Sequence, residues 1–182
     1  MNGPPGVGKS AIARRYVEDQ RLVLLLEIDE LRMAMGGWQE HPESRLLARD
    51  LAMVLAEAHL RTGHDVVVPQ YLGQTESIIA LADLAQRVGA ELIEVLLRDD
   101  EASVLARFQA RRYALDEAGQ GHPEADVDDA DVPAFIAEAM ARLRTIASQR
   151  PHTLVVTVGE SVESGYLALR RVLRSHGDVA ER

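Results

Sequence analysis

Apolar and polar positions along the chain alternate in a strand–helix rhythm that predicts an α/β protein. Leu22-Val23-Leu24-Leu25-Leu26 is a nearly unbroken apolar run within residues 21–28. Such a run suits a strand covered on both faces of a parallel sheet. Residues 43–62 place Leu47, Leu51, Val54, Leu55 and Ala58 at helical spacing, with Gly63 where a glycine ends such a helix. Arg45, Arg49 and Arg61 are expected on its solvent face, with Arg45 or Arg49 looking into an acceptor cleft as the alternative. Val66-Val67-Val68 predicts a short buried strand stopped by Pro69, and residues 77–88 an amphipathic helix closed by Gly89. Residues 91–97 read as the next strand, and a helix with acids in its first turn starts at Asp99. Residues 117–132 are rich in glycine and acids and lack apolar periodicity, so about 112–132 is expected to be a mobile lid or acidic loop. Pro133 falls in the first turn of a helix running to about 149, whose apolar face is Phe135, Ile136, Ala139, Met140, Leu143 and Ile146. Residues 153–158 form the last expected strand, stopped by Gly159, and residues 162–175 a closing helix. The whole, 1–182, is expected to be one domain: a three-layer α/β/α sandwich with a mainly parallel sheet.

The densest chemistry stands at the start. Gly3-Pro4-Pro5-Gly6-Val7-Gly8-Lys9-Ser10 reads G-x-x-x-x-G-K-S, the phosphate-binding loop called Walker A. Its glycines let the backbone turn tightly, so successive N–H groups point at phosphate oxygens. Lys9 supplies a mobile positive charge for the β- and γ-phosphates, and Ser10 a hydroxyl for Mg²⁺. The helix expected from Ala11 onward turns its positive end to the same place. ATP with Mg²⁺ is the expected ligand, held by Gly3, Pro4, Pro5, Gly6, Val7, Gly8, Lys9, Ser10 and Ala11. A buried strand normally precedes such a loop, yet only Met1 and Asn2 stand before Gly3. The expectation is a truncated first strand, or a gap that leaves both neighbouring strand edges unpaired.

Further candidates follow from the strand ends, where ligands sit in open α/β sheets. Asp29, after the first long apolar run, is placed to accept the proton of an acceptor hydroxyl or to lie near Mg²⁺; it also suits the N-cap of a helix beginning at Glu30. Arg32, Trp38 in the Gly36-Gly37-Trp38 loop, Gln70 and Tyr71 are candidate acceptor contacts. Pro69-Gln70 stands where many nucleotide-binding folds carry an acidic Walker B residue. Without that acid, Mg²⁺ must lean on Ser10, water and Asp29. Arg107 and Arg111, four apart, share a helix face suited to clamping phosphates and stabilising transferred charge, whereas Arg112 points elsewhere.

Composition narrows the partners. Twenty-nine acidic against 20 basic residues give a net charge of −9 with no long basic run, which argues against nucleic acid. There is no cysteine, so disulfides and thiolate zinc sites are excluded. No apolar run reaches the length of a membrane span and no secretory signal opens the chain, so a cytoplasmic monomer or homodimer is expected. The six histidines are dispersed and form no metal pattern, and Asp126, Asp128, Asp129 and Asp131 lack the spacing of a calcium loop.

GPPGVGKS, the strand ending at Asp29, VVVPQYL with its following helix, and VLLRDDEASVLARFQARR together resemble the small P-loop kinases. These include the chloramphenicol phosphotransferase, zeta-toxin and gluconate-kinase-like groups, and in particular the tunicamycin-resistance protein group. The resemblance covers most of the chain. It implies ATP and Mg²⁺ binding, arginines of a lid at positions 107 and 111, Asp29 as base, and phosphoryl transfer to a hydroxyl of a small molecule such as an antibiotic or a nucleotide-sugar-like compound. The turn after the last strand often touches adenine in such kinases, which makes Gly159, with Val158 and Glu160, a candidate. The alternatives are a resistance protein that binds ATP and sequesters its ligand without phosphorylating it, a nucleoside or nucleotide kinase, and an ATPase-driven switch acting on a protein partner.

Overall fold

The computed structural model of the protein describes residues 1–121, 124 and 127–180. Its elements, in chain order, are α1 (Lys9–Glu18), β1 (Leu24–Leu25), α2 (Ile28–Met33), α3 (Ser44–Leu60), β2 (Val66–Val67), α4 (Thr75–Val88), β3 (Val95–Arg98), α5 (Glu101–Glu117), α6 (Val132–Gln149), β4 (Leu154–Thr157) and α7 (Val162–Ala180). All strand pairs are parallel: Leu24 lies opposite Val66 in β1–β2, and Val95 opposite Leu154 in β3–β4. The α/β class expected from the sequence is therefore present.

Met1 and Asn2 join the two strand pairs. The Met1 ammonium donates to the Val68 carbonyl at 2.9 Å, and the Gln70 N–H donates to the Met1 carbonyl at 3.1 Å. On the other side the Asn2 N–H donates to the Val95 carbonyl at 2.7 Å, and the Leu97 N–H to the Asn2 carbonyl at 2.8 Å. The order across the sheet is thus β1, β2, Met1-Asn2, β3, β4. Two residues occupy the central position where a gap was an expectation. The Asn2 side chain extends their reach: its Nδ2 donates to the Leu72 carbonyl, and its Oδ1 accepts from the N–H groups of Gly3 and Leu72. That side chain fastens the start of the glycine loop to the segment after β2. Burial, with Lys9 nearby, pushes the Met1 ammonium down to about 5, against the pull of Glu94.

Val95, Leu96 and Leu97 of β3 are all buried, which requires cover on both faces of the strand. One core gathers Ile12 of α1, Val95 and Leu97, Val104 and Phe108 of α5, Ile136 of α6, Val156 and Leu169 of α7. A smaller one joins Leu26, Ala52, Ala56 and Leu84 around β1 and β2. Of the expected face of α6, Ile136, Ala139, Leu143 and Ile146 are buried, and Phe135 and Met140 are half-buried.

The face of α3 differs. Ser44, Ala48, Ala52 and Ala56 are its buried residues. Leu47, Leu51, Val54 and Leu55 are 51%, 48%, 65% and 43% exposed. The leucine spacing identified the helix, but the small side chains mark its contact face. α3 lies close against α2, α4 and β2, and only residues the size of serine and alanine fit in that seam.

Part of the expected lid, including His122 and Asp126, lies outside the described residues. Of its acids, Asp128, Asp129 and Asp131 are exposed. Among the described residues no helix is long and apolar enough to cross a membrane.

Candidate active site

The glycine loop leads into α1, whose N-cap is Gly8 in the left-handed region at φ 97. No side chain caps this helix and no acid stands in its first turn. Its first amides therefore remain available for an external anion. At Gly6, φ is 85, and an added Cβ would come within 2.5 Å of the Val104 carbonyl and 2.9 Å of Phe108 Cβ. The loop is thus pressed directly onto α5, and a side chain at position 6 has no room. Val7 is fully buried and anchors the loop from beneath.

Lys9 Nζ curls back over the loop and donates to the carbonyls of Gly3 at 2.9 Å and Pro4 at 3.0 Å. Burial, then the charge of Arg111, pushes the amine down to about 8, while Glu124 and Asp29 pull it back up. α5 brings its arginines to the same place by different routes. Arg107 Nε donates to the Gly6 carbonyl at 3.1 Å, and its guanidinium pairs with Asp99 at 2.7 Å. This arrangement braces the loop. Arg111 lies over the Phe108 ring and pairs with Glu124 at 3.0 Å. Arg112 turns away, as expected, and donates to the Val127 carbonyl at 2.6 Å. Asp99 does not open the helix; Asp100 does, its carboxylate accepting from the Ser103 N–H. That leaves Asp99 free to hold Arg107, a role the sequence reading missed.

Asp29 sits in the first turn of α2, just past β1. The N-cap is Glu27 rather than Asp29, because the helix starts at Ile28, two residues earlier than read. Burial pushes the Asp29 carboxyl up, and the nearby Glu124 adds to this; Lys9, a hydrogen bond from Gln70 and Arg111 oppose it. Ser10, Asp29, Gln70, Trp38 and Arg111 all line one open cleft of about 540 Å³. Five candidates from different parts of the chain therefore meet around one space.

Other expected contacts lie elsewhere. Arg32 is 6% exposed, bonded through Nε to Ser44 Oγ at 3.0 Å and stacked beneath Trp38 at 4.7 Å from its ring centre. It supports the cleft wall from behind. Tyr71 turns toward Gly73, where an added Cβ would come within 2.6 Å of its hydroxyl, and toward Arg142 and Glu138 of α6. Gly159 lies beyond β4 at φ 75, beside Ser164, and Ala11 is exposed on α1. Neither lines the cleft.

The cleft also holds residues not singled out in the sequence. Arg14 donates to Glu27 at 2.8 Å and to Glu30 at 3.1 Å, and all three line the space with Met33, Leu115, Gln120 and Gly121. A signal existed: Glu27 and Glu30 flank Asp29, and Arg14 is one turn beyond Ser10 on α1. Among the described residues no cluster of three His, Asp or Glu side chains is set to hold a metal. The donors that suit Mg²⁺ beside phosphates are the Ser10 hydroxyl and the Asp29 carboxylate, both on the cleft wall.

A Walker A loop on an uncapped helix, at the carboxyl ends of a parallel sheet, defines a kinase-like P-loop nucleoside triphosphatase. Residues 1–131 match the family model AAA_33, described as an AAA domain, and the chain belongs to that family. It is 30% identical over 122 residues to an adenylate kinase from Paracoccus denitrificans, covering 60% of this chain and 55% of that protein. The chain thus spans little more than half of that relative's length. The fold is similar to that of a tunicamycin resistance protein from Deinococcus radiodurans (TM-score 0.58, 20% identity, 97% of this chain and 92% of that one). It is also similar to a gluconokinase from Sinorhizobium meliloti 1021 (TM-score 0.60, 17% identity, 98% and 93%).

Proposed function

We propose that the protein is an ATP-dependent phosphotransferase that acts on a hydroxyl of a small molecule. The observation that carries this reading is the meeting of Ser10 and Asp29 at one cleft, with Lys9 close enough to act electrostatically on Asp29 and an uncapped helix end beneath the loop. The loop amides and Lys9 hold the triphosphate, and Arg107 keeps the loop in shape by binding the Gly6 carbonyl. Arg111 exchanges Glu124 for the γ-phosphate and stabilises the charge that moves during transfer. Ser10, with Asp29 behind it, would hold Mg²⁺, which neutralises phosphate charge when bound.

Asp29 faces the acceptor. Its carboxylate takes the hydroxyl proton as the acceptor oxygen bonds to the γ-phosphorus and the bond from that phosphorus to the β–γ bridging oxygen breaks, releasing ADP. The hydrogen bond from Gln70 orients the carboxylate and favours its charged form. In place of a Walker B acid, then, Gln70 acts on the base.

The absence of that acid motivates a second reading, in which ATP is bound and the ligand is held without transfer. The two are separated by incubating the protein with Mg-ATP and a panel of hydroxyl compounds and following product mass. Lys9→Ala and Asp29→Asn are each expected to lower kcat by about 10²–10⁴-fold, the range typical of lost charge stabilisation or base catalysis. Tight ligand binding with no product in the wild type, or product formation unaffected by Asp29→Asn, would count against the phosphotransferase.

A further inference from the structure

We propose that the acceptor is a neutral or cationic compound rich in hydroxyl or amino groups, carrying no phosphate or other anionic group at the end that enters the cleft. This rests on the phosphotransferase reading and narrows it, setting nucleoside monophosphates and sugar phosphates apart from unphosphorylated acceptors.

Beside Ser10, six of the residues that wall the cleft are Glu27, Asp29, Glu30, Met33, Trp38 and Gln70. Three of these six are carboxylates. The nearest cation, Arg14, is already engaged at both ends, with Glu27 at 2.7 Å and Glu30 at 3.1 Å. The other cleft arginine, Arg111, belongs to the phosphate end and is paired with Glu124. Arg32 lies behind the Trp38 ring, bonded to Ser44, and does not line the space. A site for a phosphate-bearing acceptor needs forked, charge-assisted donors aimed into it. This wall instead offers acceptor oxygens: the Asp29 carboxylate, the Gln70 side-chain carbonyl, and the Glu27 and Glu30 oxygens that Arg14 does not bond. They suit O–H and N–H donors, and an ammonium group above all. Trp38 and Met33 add an apolar face on which the C–H side of a ring can lie.

An acceptor phosphate would meet like charge here, and like-charge juxtaposition carries a discrimination on the order of a hundredfold. The test uses matched probes that differ in one group: adenosine against AMP, uridine against UMP, glucose against glucose 6-phosphate, and glucosamine beside glucose. Binding is measured by calorimetry in the presence of a non-hydrolysable ATP analogue, and turnover by product mass with Mg-ATP. Neutral or aminated members should bind and be phosphorylated, with their phosphorylated partners on the order of a hundredfold weaker. Glu30→Gln should narrow that gap several-fold, with retained ATP-analogue binding as the check on folding. A phosphorylated member bound as well as its neutral partner overturns the inference while leaving the phosphotransferase standing. A panel in which no neutral or cationic member is bound also overturns it. Binding with the expected preference but without product overturns the transfer reading and leaves the charge preference intact.

Discussion

Lys9 is the residue on which nucleotide binding and protonation meet. In the free protein its amine is buried in the bowl of the loop and sits at about 8. Phosphate oxygens brought beside it favour the charged form and raise that value. Because the bound state holds the proton more tightly, binding takes one up, and the uptake is largest where the free amine is partly deprotonated. Near pH 8 about half a proton per nucleotide should be absorbed, falling toward zero near pH 6. Calorimetry in buffers of different ionisation heat reads this directly, and Lys9→Met should abolish it. Uptake unchanged in that variant would place the titrating group elsewhere. The loop, Lys9, Ser10 and Asp29 were all legible in the sequence, because local spacing and strand ends define them. The Arg14–Glu27–Glu30 group was not, since its pairing joins residues 13 and 16 positions apart on separate helices or their caps. Arg32 and Tyr71 were misplaced for a related reason. Proximity to Asp29 or to a strand end says which loop a residue belongs to, but not which way its side chain turns.

Among the elements, α3 shows where hydrophobic pattern and contact face part company. Its leucines recur at helical spacing and are nevertheless exposed, while alanines and Ser44 fill the seam. Pattern alone ranks leucine above alanine as a core residue; distance between neighbouring elements decides otherwise. The two faces should respond oppositely to substitution. Leu51→Gln is expected to change stability by no more than about 0.5 kcal/mol, as exposed positions do. Ala52→Leu should cost about 1–3 kcal/mol, because the closely packed seam has no space for the added carbons. Denaturant midpoints measured on both variants decide the matter; a large loss at Leu51 would mean that this face is covered. α5 shows the reverse case, where the arginines read from spacing do meet at the loop. Their separate duties depend on Asp99 and Glu124, which no periodicity marks.

Over the whole molecule, Met1 and Asn2 lie between the two strand pairs at the centre of the sheet. Among the described residues Met1 bonds Val68 and Gln70 just past β2, and Asn2 bonds Val95 and Leu97 of β3. Among the described residues, too, a core of eleven buried residues lies on one side and a core of four on the other. The β1–β2 side should therefore open more readily than the β3–β4 side. Native-state hydrogen exchange is expected to show the amides of Leu24 and Leu26 exchanging on the order of tenfold or more faster than that of Leu97. Equal protection would mean that the two halves unfold as one. The parallel order of elements could be read from the alternation of apolar runs. The central junction could not, because two residues carry no periodicity.

Trp38 is the chain's single tryptophan, and it stands on the acceptor wall with the Arg32 guanidinium stacked behind it. The protein thus has one indole, which can be excited apart from its four tyrosines, and it lies beside the space the acceptor fills. Any compound that enters beside the indole alters its polarity or its contact with the cation, and the emission changes in colour or brightness. No dye, label or coupled enzyme is needed to watch this occupancy, and no second indole dilutes the signal.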